Sequence, residues 1–205
     1  MINELKGVGS FSKWGLLLVC CLWTSTSSAQ QSAQQVQPYG EKAGLVINPI
    51  GFADPTEAAN YELAQVSIGC PDNIECGGVI YLGTDGDYYP TVPFTSFKPF
   101  GVDIPQYNQP MPPGMVKIVA DYHDHICSKH NAVFANFFSS ADAYVNQGFH
   151  TVGYMLSQCD GNIHRYDPSQ DDRDDEEVDF HSGKKIYLTI GHIVGWVPGG
   201  AYKPD

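Results

Sequence analysis

The chain has 205 residues, 42% of them hydrophobic, which is enough to bury one sizeable core and makes a single domain the default. Its formal charge of −12 argues against nucleic acid as a partner, because phosphate binding needs clustered Lys and Arg.

The N-terminus carries the parts of an export signal. Lys6 and Lys13 supply positive charge, Trp14 to Trp23 forms a short apolar stretch, and Ser27-Ser28-Ala29 offers the small-x-small pattern that a signal peptidase cuts. The apolar stretch is too short for a stable bilayer span. Residues 1–29 therefore read as a cleavable signal, which makes the mature chain periplasmic or secreted. A lipoprotein signal using Cys20 or Cys21 is the weaker alternative, since Val19 or Cys20 would then precede the modified Cys, where a small residue is expected. Residues 30–50 read as a flexible segment, Gln/Ser/Ala-rich from Gln30 to Gln37, and residues 51–205 as the folded domain.

Asp54-Pro55-Thr56-Glu57 is a helix start, with Asp as N-cap, Pro at the first position and Glu completing a capping box. The pattern carries the helix to about Ser67. Glu75 to Leu82 reads as a strand, Thr84 to Asp87 as a hairpin turn, and Tyr88 to Phe97 as the returning strand. Tyr88, Tyr89, Phe94, Phe97 and Phe100 could line a groove, although strand aromatics are more often core residues. Phe100 to Gly114, rich in Pro, Gln and Gly, reads as an irregular loop.

The most informative stretch comes next. Met115 to Ala120 is apolar and β-branched, and it runs into Asp121-Tyr122-His123-Asp124-His125. Strand side chains alternate with period two, so His123 and His125 point to one side. Ser139 and Asp142 then open a short helix, Ala141 to Gln147. Ser-x-x-Asp is by itself a capping box, and His-x-His by itself a solvated strand face. Taken together, two imidazoles and a carboxylate could converge on one zinc ion with a position left for water. The capping role does not exclude ligation, because a carboxylate in the first turn can still face a metal.

Thr151–Ser157 and Asn162–Tyr166 read as a second hairpin turned at Cys159-Asp160-Gly161, and Ile186 to Val197 as a last strand. The acidic run from Asp171 to Asp179 reads as a solvated loop. His130, His150, His164, His181 and His192 show no mutual spacing for a second metal, and His164 is expected to face solvent. The fold class is α/β, a mixed and largely antiparallel sheet flanked by helices in a single domain.

Four cysteines remain after the signal, Cys70, Cys76, Cys127 and Cys159, and they allow three connectivities. Chain proximity favours Cys70–Cys76, and neighbouring strand ends favour Cys127–Cys159. Thiolate ligation of zinc is the competing use, with Cys127 on the histidine face if the strand reaches it. An oxidising compartment favours the disulfides.

Glu75, His123-x-His125 and Ser139-x-x-Asp142, in that order, resemble the signature of the JAMM (MPN-like, JAB-type) zinc metallopeptidases. The likeness is greatest to bacterial JAMM-like domains found among secreted toxins. It extends to Glu75-Cys76-Gly77-Gly78-Val79-Ile80-Tyr81, to Tyr122-His123-Asp124-His125 and to Gly161-Asn162-Ile163-His164-Arg165-Tyr166. One departure is that thirteen residues, Ile126 to Phe138, separate His125 from Ser139, where the family usually has seven.

The resemblance implies a curved, cytidine-deaminase-like sheet, a zinc cofactor held by His123, His125 and Asp142, and Glu75 as the proton carrier. Ser139 would donate to the carbonyl oxygen as it gains charge. Glu57 and Glu62 are weaker candidates for the acid, since the first helix accounts for them as cap and surface residues. The implied substrate is a peptide or protein, with peptidoglycan stem peptides fitting the expected compartment. A non-catalytic binding module on the same fold, and a toxin effector using the same chemistry on a foreign cell, are the alternatives.

Overall fold

The computed structural model describes residues 46–98, 101–128, 134–171, 175–178, 185–188 and 191–198. The expected signal and the Gln-rich segment lie outside these residues. Among the described residues no helix is long and apolar enough to cross a membrane.

A six-stranded mixed sheet organises the chain. Its strands are β1 (Gly77–Gly83), β2 (Tyr88–Pro90), β3 (Met115–His125), β4 (Val152–Ser157), β5 (Asn162–Tyr166) and β8 (His192–Trp196), in the spatial order β2-β1-β3-β4-β5-β8. All neighbours are antiparallel except β3 and β4, which run parallel and are joined by the helix α2 (Ser140–Phe149). A parallel pair needs such a crossover, and here the crossover carries Asp142 back to the strand that bears the histidines.

The helix α1 (Pro55–Gly69) covers one face. Asp54 caps it by accepting from Thr56 N at 2.6 Å, in place of the reciprocal pair expected with Glu57. Its Ala58, Ala59, Leu63 and Val66 pack on Ile80, Ala120, Tyr122, Tyr154, Leu156 and Ile163, all buried. The opposite face holds α2 and a smaller cluster of Phe138, Ala143, Met155 and Tyr166. Period two on β3 divides the two: Ala120 and Tyr122 join the α1 core, while Asp121, His123 and His125 face the other way.

Several boundaries depart from the pattern reading. The returning strand keeps only Tyr88–Pro90, because Pro90 and Pro93 have no N–H for the ladder, and pairing continues as the isolated bridges Ile47–Thr91 and Gly77–Phe94. The loop before β3 contains a 3-10 turn, Pro105–Asn108. The expected last strand divides in two: Gly191, at φ 66°, precedes β8, and Lys185–Leu188 forms β7 in a separate ribbon. Its partner there is β6, Asp175–Val178, so part of the acidic run is strand rather than loop. His164, expected to face solvent, is 3% exposed on β5.

Two disulfides, Cys70–Cys76 and Cys127–Cys159, bind all four cysteines of the described region. This is the favoured pairing, and it removes thiolate ligation of a metal. The first ties the end of α1 to the start of β1, and the second ties the end of β3 to the β4–β5 turn. Two disulfides are compatible with an extracellular location.

Candidate metal centre

β3 delivers the two histidines because, after two register shifts nearer its start, it pairs residue by residue with β1 from Ala120 to His123 and with β4 from Ala120 to His125. On β1, Gly77 pairs with His123, and a Cβ at Gly77 would strike the Tyr122 carbonyl and crowd the His123 Cβ. Glycine is therefore what lets the first histidine lie against β1. The segment before β1 continues alongside β3: Asp124 N donates to Cys76 O at 3.0 Å, and Cys76 N donates to Asp124 Oδ1 at 2.6 Å. This pairing carries Glu75 to the histidine side.

Asp142 comes from the first turn of α2. The capping box exists in both directions, with Asp142 N donating to Ser139 Oγ at 3.2 Å and Ser139 N donating to Asp142 Oδ2 at 2.7 Å. The same carboxylate faces the histidines. Its Oδ1 lies 3.6 Å from His123 Nε2 and its Oδ2 lies 3.4 Å from His125 Nε2, while the two Nε2 atoms are 3.1 Å apart. The cap and the convergence thus coexist on one side chain. The long segment between His125 and Ser139 does not keep Asp142 away.

These distances can be compared with what a zinc ion requires. Two ligand atoms each about 2.0–2.1 Å from a tetrahedral zinc lie roughly 3.3–3.4 Å from one another. The 3.1 Å between the two Nε2 atoms is close to that value, Asp142 presents a different oxygen to each imidazole at 3.6 and 3.4 Å, and His₂Asp is a donor set zinc accepts. His123, His125 and Asp142 are thus a candidate metal-ligand group. A second convergence, Cys70, Cys76 and Asp124, is disqualified because both sulfurs are in a disulfide.

Electrostatics support the triad as a unit. Burial opposes a charged imidazole at His123, but Asp142 and Asp121 outweigh it and hold His123 well above the ordinary histidine range. Burial likewise opposes charge on Asp142, and His123 followed by His125 pulls it well below the usual carboxylate range.

Glu75 is 8% exposed and lies two residues before β1, which begins at Gly77 rather than at Glu75 as the pattern predicts. Burial pushes its carboxyl up to about 7, with His125 and His123 drawing it partly back. A carboxyl near neutrality can both take and return a proton at working pH. Glu75, Ser139, the two histidines and Asp142 all line one cleft of about 720 Å³. Ser139 Oγ accepts from the backbone, and a hydroxyl that accepts still has one proton to donate.

The aromatic walls are not those suggested by the strands. Tyr107, Phe134 and Phe149 line the cleft, with Tyr107 and Phe149 stacked at 4.1 Å. Phe94 is buried in the protein, Phe97 is exposed, and neither borders the site; Phe100 lies outside the described residues. Glu62, read as a surface residue, is 2% exposed under α1, accepts from Asn48 Nδ2 at 2.7 Å, and is pushed up to about 7 by burial. Asp121 and Tyr107 are site residues that the sequence reading passed over. The one available signal was that Asp121 shares the parity of His123 and His125.

No family model matches the chain, and neither a curated protein nor a solved structure matches it. What fold and site define is a disulfide-bonded α/β protein with a candidate His₂Asp metal centre lining a cleft.

Proposed function

We propose that this chain is an exported zinc-dependent peptidase or amidohydrolase with a JAMM-type fold. The observation that carries the reading is the convergence of His123, His125 and Asp142 beside a buried carboxyl, Glu75, in one cleft. When bound, zinc supplies Lewis acidity and makes a water acidic enough to attack near neutral pH.

The remaining roles belong to the chain. Glu75 takes the proton of the attacking water and returns it to the leaving amine, a task its carboxyl near 7 suits. Ser139 donates its hydroxyl proton to the carbonyl oxygen as that oxygen gains charge. The apolar walls at Val102, Ile104, Phe134 and Phe149 hold the acyl or amine side chains and exclude water. The substrate class is a peptide or isopeptide in the extracytoplasmic space, with peptidoglycan stem peptides the first to try. Residues 1–29 act as the export signal in this account.

The experiment is hydrolysis of stem peptides and unfolded protein by the zinc-loaded mature chain, alongside Glu75→Gln. The variant is expected to lose on the order of 100- to 10,000-fold in rate while keeping metal and melting temperature. Full activity in Glu75→Gln would remove it from the mechanism. Loss of zinc in that variant would make Glu75 a ligand. Zinc-loaded wild type that cleaves nothing would leave the site a binding module.

A further inference from the structure

The same face of β3 that carries the histidines carries a third polar side chain, Asp121, 3% exposed. Its Oδ2 accepts from Tyr107 OH at 2.7 Å and from Asn146 Nδ2, while Oδ1 lies 3.8 Å from His123 Nδ1. The fold makes room for this arrangement. On β4 the register partner of Asp121 is Gly153, and a Cβ there would collide with the Asn146 amide that reaches Asp121. Tyr107 is fixed in turn by Thr151 Oγ1 at 2.9 Å and by its stack on Phe149. A buried carboxylate, clamped from one side by two donors, thus presents its other oxygen to the imidazole.

We propose that Asp121 is the positioning residue of this centre. It holds the proton that His123 keeps on Nδ1 when a metal displaces the one on Nε2, so that Nε2, the atom facing Asp142 and His125, is the ligating atom. The assignment rests on the metal reading of the triad. A neutral imidazole can ligate through one nitrogen only if the other carries the proton, and a carboxylate facing Nδ1 selects that tautomer. At 3.8 Å the pair is a charge contact rather than a hydrogen bond, so the selection is electrostatic in this geometry.

Two substitutions separate positioning from simple structural support. Asp121→Asn keeps the shape. Because Asn146 Nδ2 can only donate, the new amide oxygen turns to it and the new NH2 faces His123 Nδ1. That donor favours the proton on Nε2 and blocks ligation. Asp121→Ala deletes both clamps and leaves space that water can fill, and water accepts from Nδ1–H. Both variants lose the same charge, so their difference reports the tautomer.

The expected melting temperatures of the metal-free proteins fall in the order wild type, Asn, Ala. The expected zinc affinities, from competition with a chromogenic chelator, fall in a different order: wild type tightest, Ala weaker by about 10- to 100-fold, and Asn at least as weak as Ala. Zinc affinities that follow the melting order, with Asn close to wild type, would overturn the assignment while leaving the metal centre intact. Wild-type protein that takes up no zinc would overturn the metal reading and this assignment together.

Discussion

The two faces of the central sheet are built on different terms. Under α1 the contacts are apolar and continuous, from Leu63 and Val66 to Tyr122 and Leu156, with Glu62 and its Asn48 partner as a polar inclusion. Under α2 the buried apolar cluster among the described residues is Phe138, Ala143, Met155 and Tyr166, and beside it lie Asp121, His123, His125, Asp142 and Asn146. Neighbouring residues of β3 belong to opposite regimes: Tyr122 is core and His123 is site. One strand thus anchors the fold with one parity and builds a charged centre with the other. The charged layer is held at its edges by covalent bonds, since Cys76 adjoins Glu75 and Cys127 lies two residues beyond His125.

If stability resides on the α1 face, a cavity there should be costly to the fold and neutral to the metal. Leu63→Ala is expected to destabilise by about 2–5 kcal/mol in urea unfolding, with zinc uptake by the surviving folded fraction unchanged. Reduced zinc affinity in that variant would show that the faces are not independent.

The α2 face makes the converse expectation. Ser139→Gly removes the hydroxyl yet preserves most of the cap, because Gly at an N-cap costs only a few tenths of a kcal/mol. Turnover should fall by roughly 100- to 1,000-fold if the hydroxyl stabilises the developing oxyanion, with melting nearly unmoved. A large melting shift with normal turnover would make Ser139 a cap and nothing more.

The polar inclusion under α1 makes the stability of that face depend on pH. Glu62 has a folded-state pKa of about 7 against an ordinary 4.5, so the folded chain holds this proton longer than the unfolded chain. The stability this contributes is complete below the unfolded value and is lost as pH rises through about 7, up to about 3 kcal/mol. Glu62→Gln should flatten that part of the stability profile relative to wild type, while Glu75 retains its own share. Parallel profiles for the two proteins would place the Glu62 ionisation elsewhere.

The sequence made the site legible where chemistry was local. His-x-His on a β-branched run and Ser-x-x-Asp at a helix start need only period two and a capping rule, and they located four of the five proposed residues. Asp54-Pro55 located α1 for the same reason. What escaped depends on contacts distant in the chain. The function of Asp121 requires Tyr107 from a Pro-rich loop, Asn146 from α2 and the absence of a side chain at Gly153. The burial of Glu62 depends on Asn48, fourteen residues earlier, closing over α1. The shortened β2 was readable from Pro90 and Pro93, and the strand propensity of the surrounding Tyr and Phe obscured it. The strand in the acidic run depends on pairing with Lys185–Leu188, which local charge repulsion does not reveal.

Whether His123, His125 and Asp142 form one metal centre is decided by zinc stoichiometry. Mature protein purified with its disulfides intact and dialysed against zinc should hold about one ion per chain, as a three-ligand site requires. The double variant His123→Ala/His125→Ala, with all four cysteines retained and its fold checked by circular dichroism, should hold none. Zinc at full stoichiometry in that variant, or none in the wild type, would rule out a metal centre at these three residues.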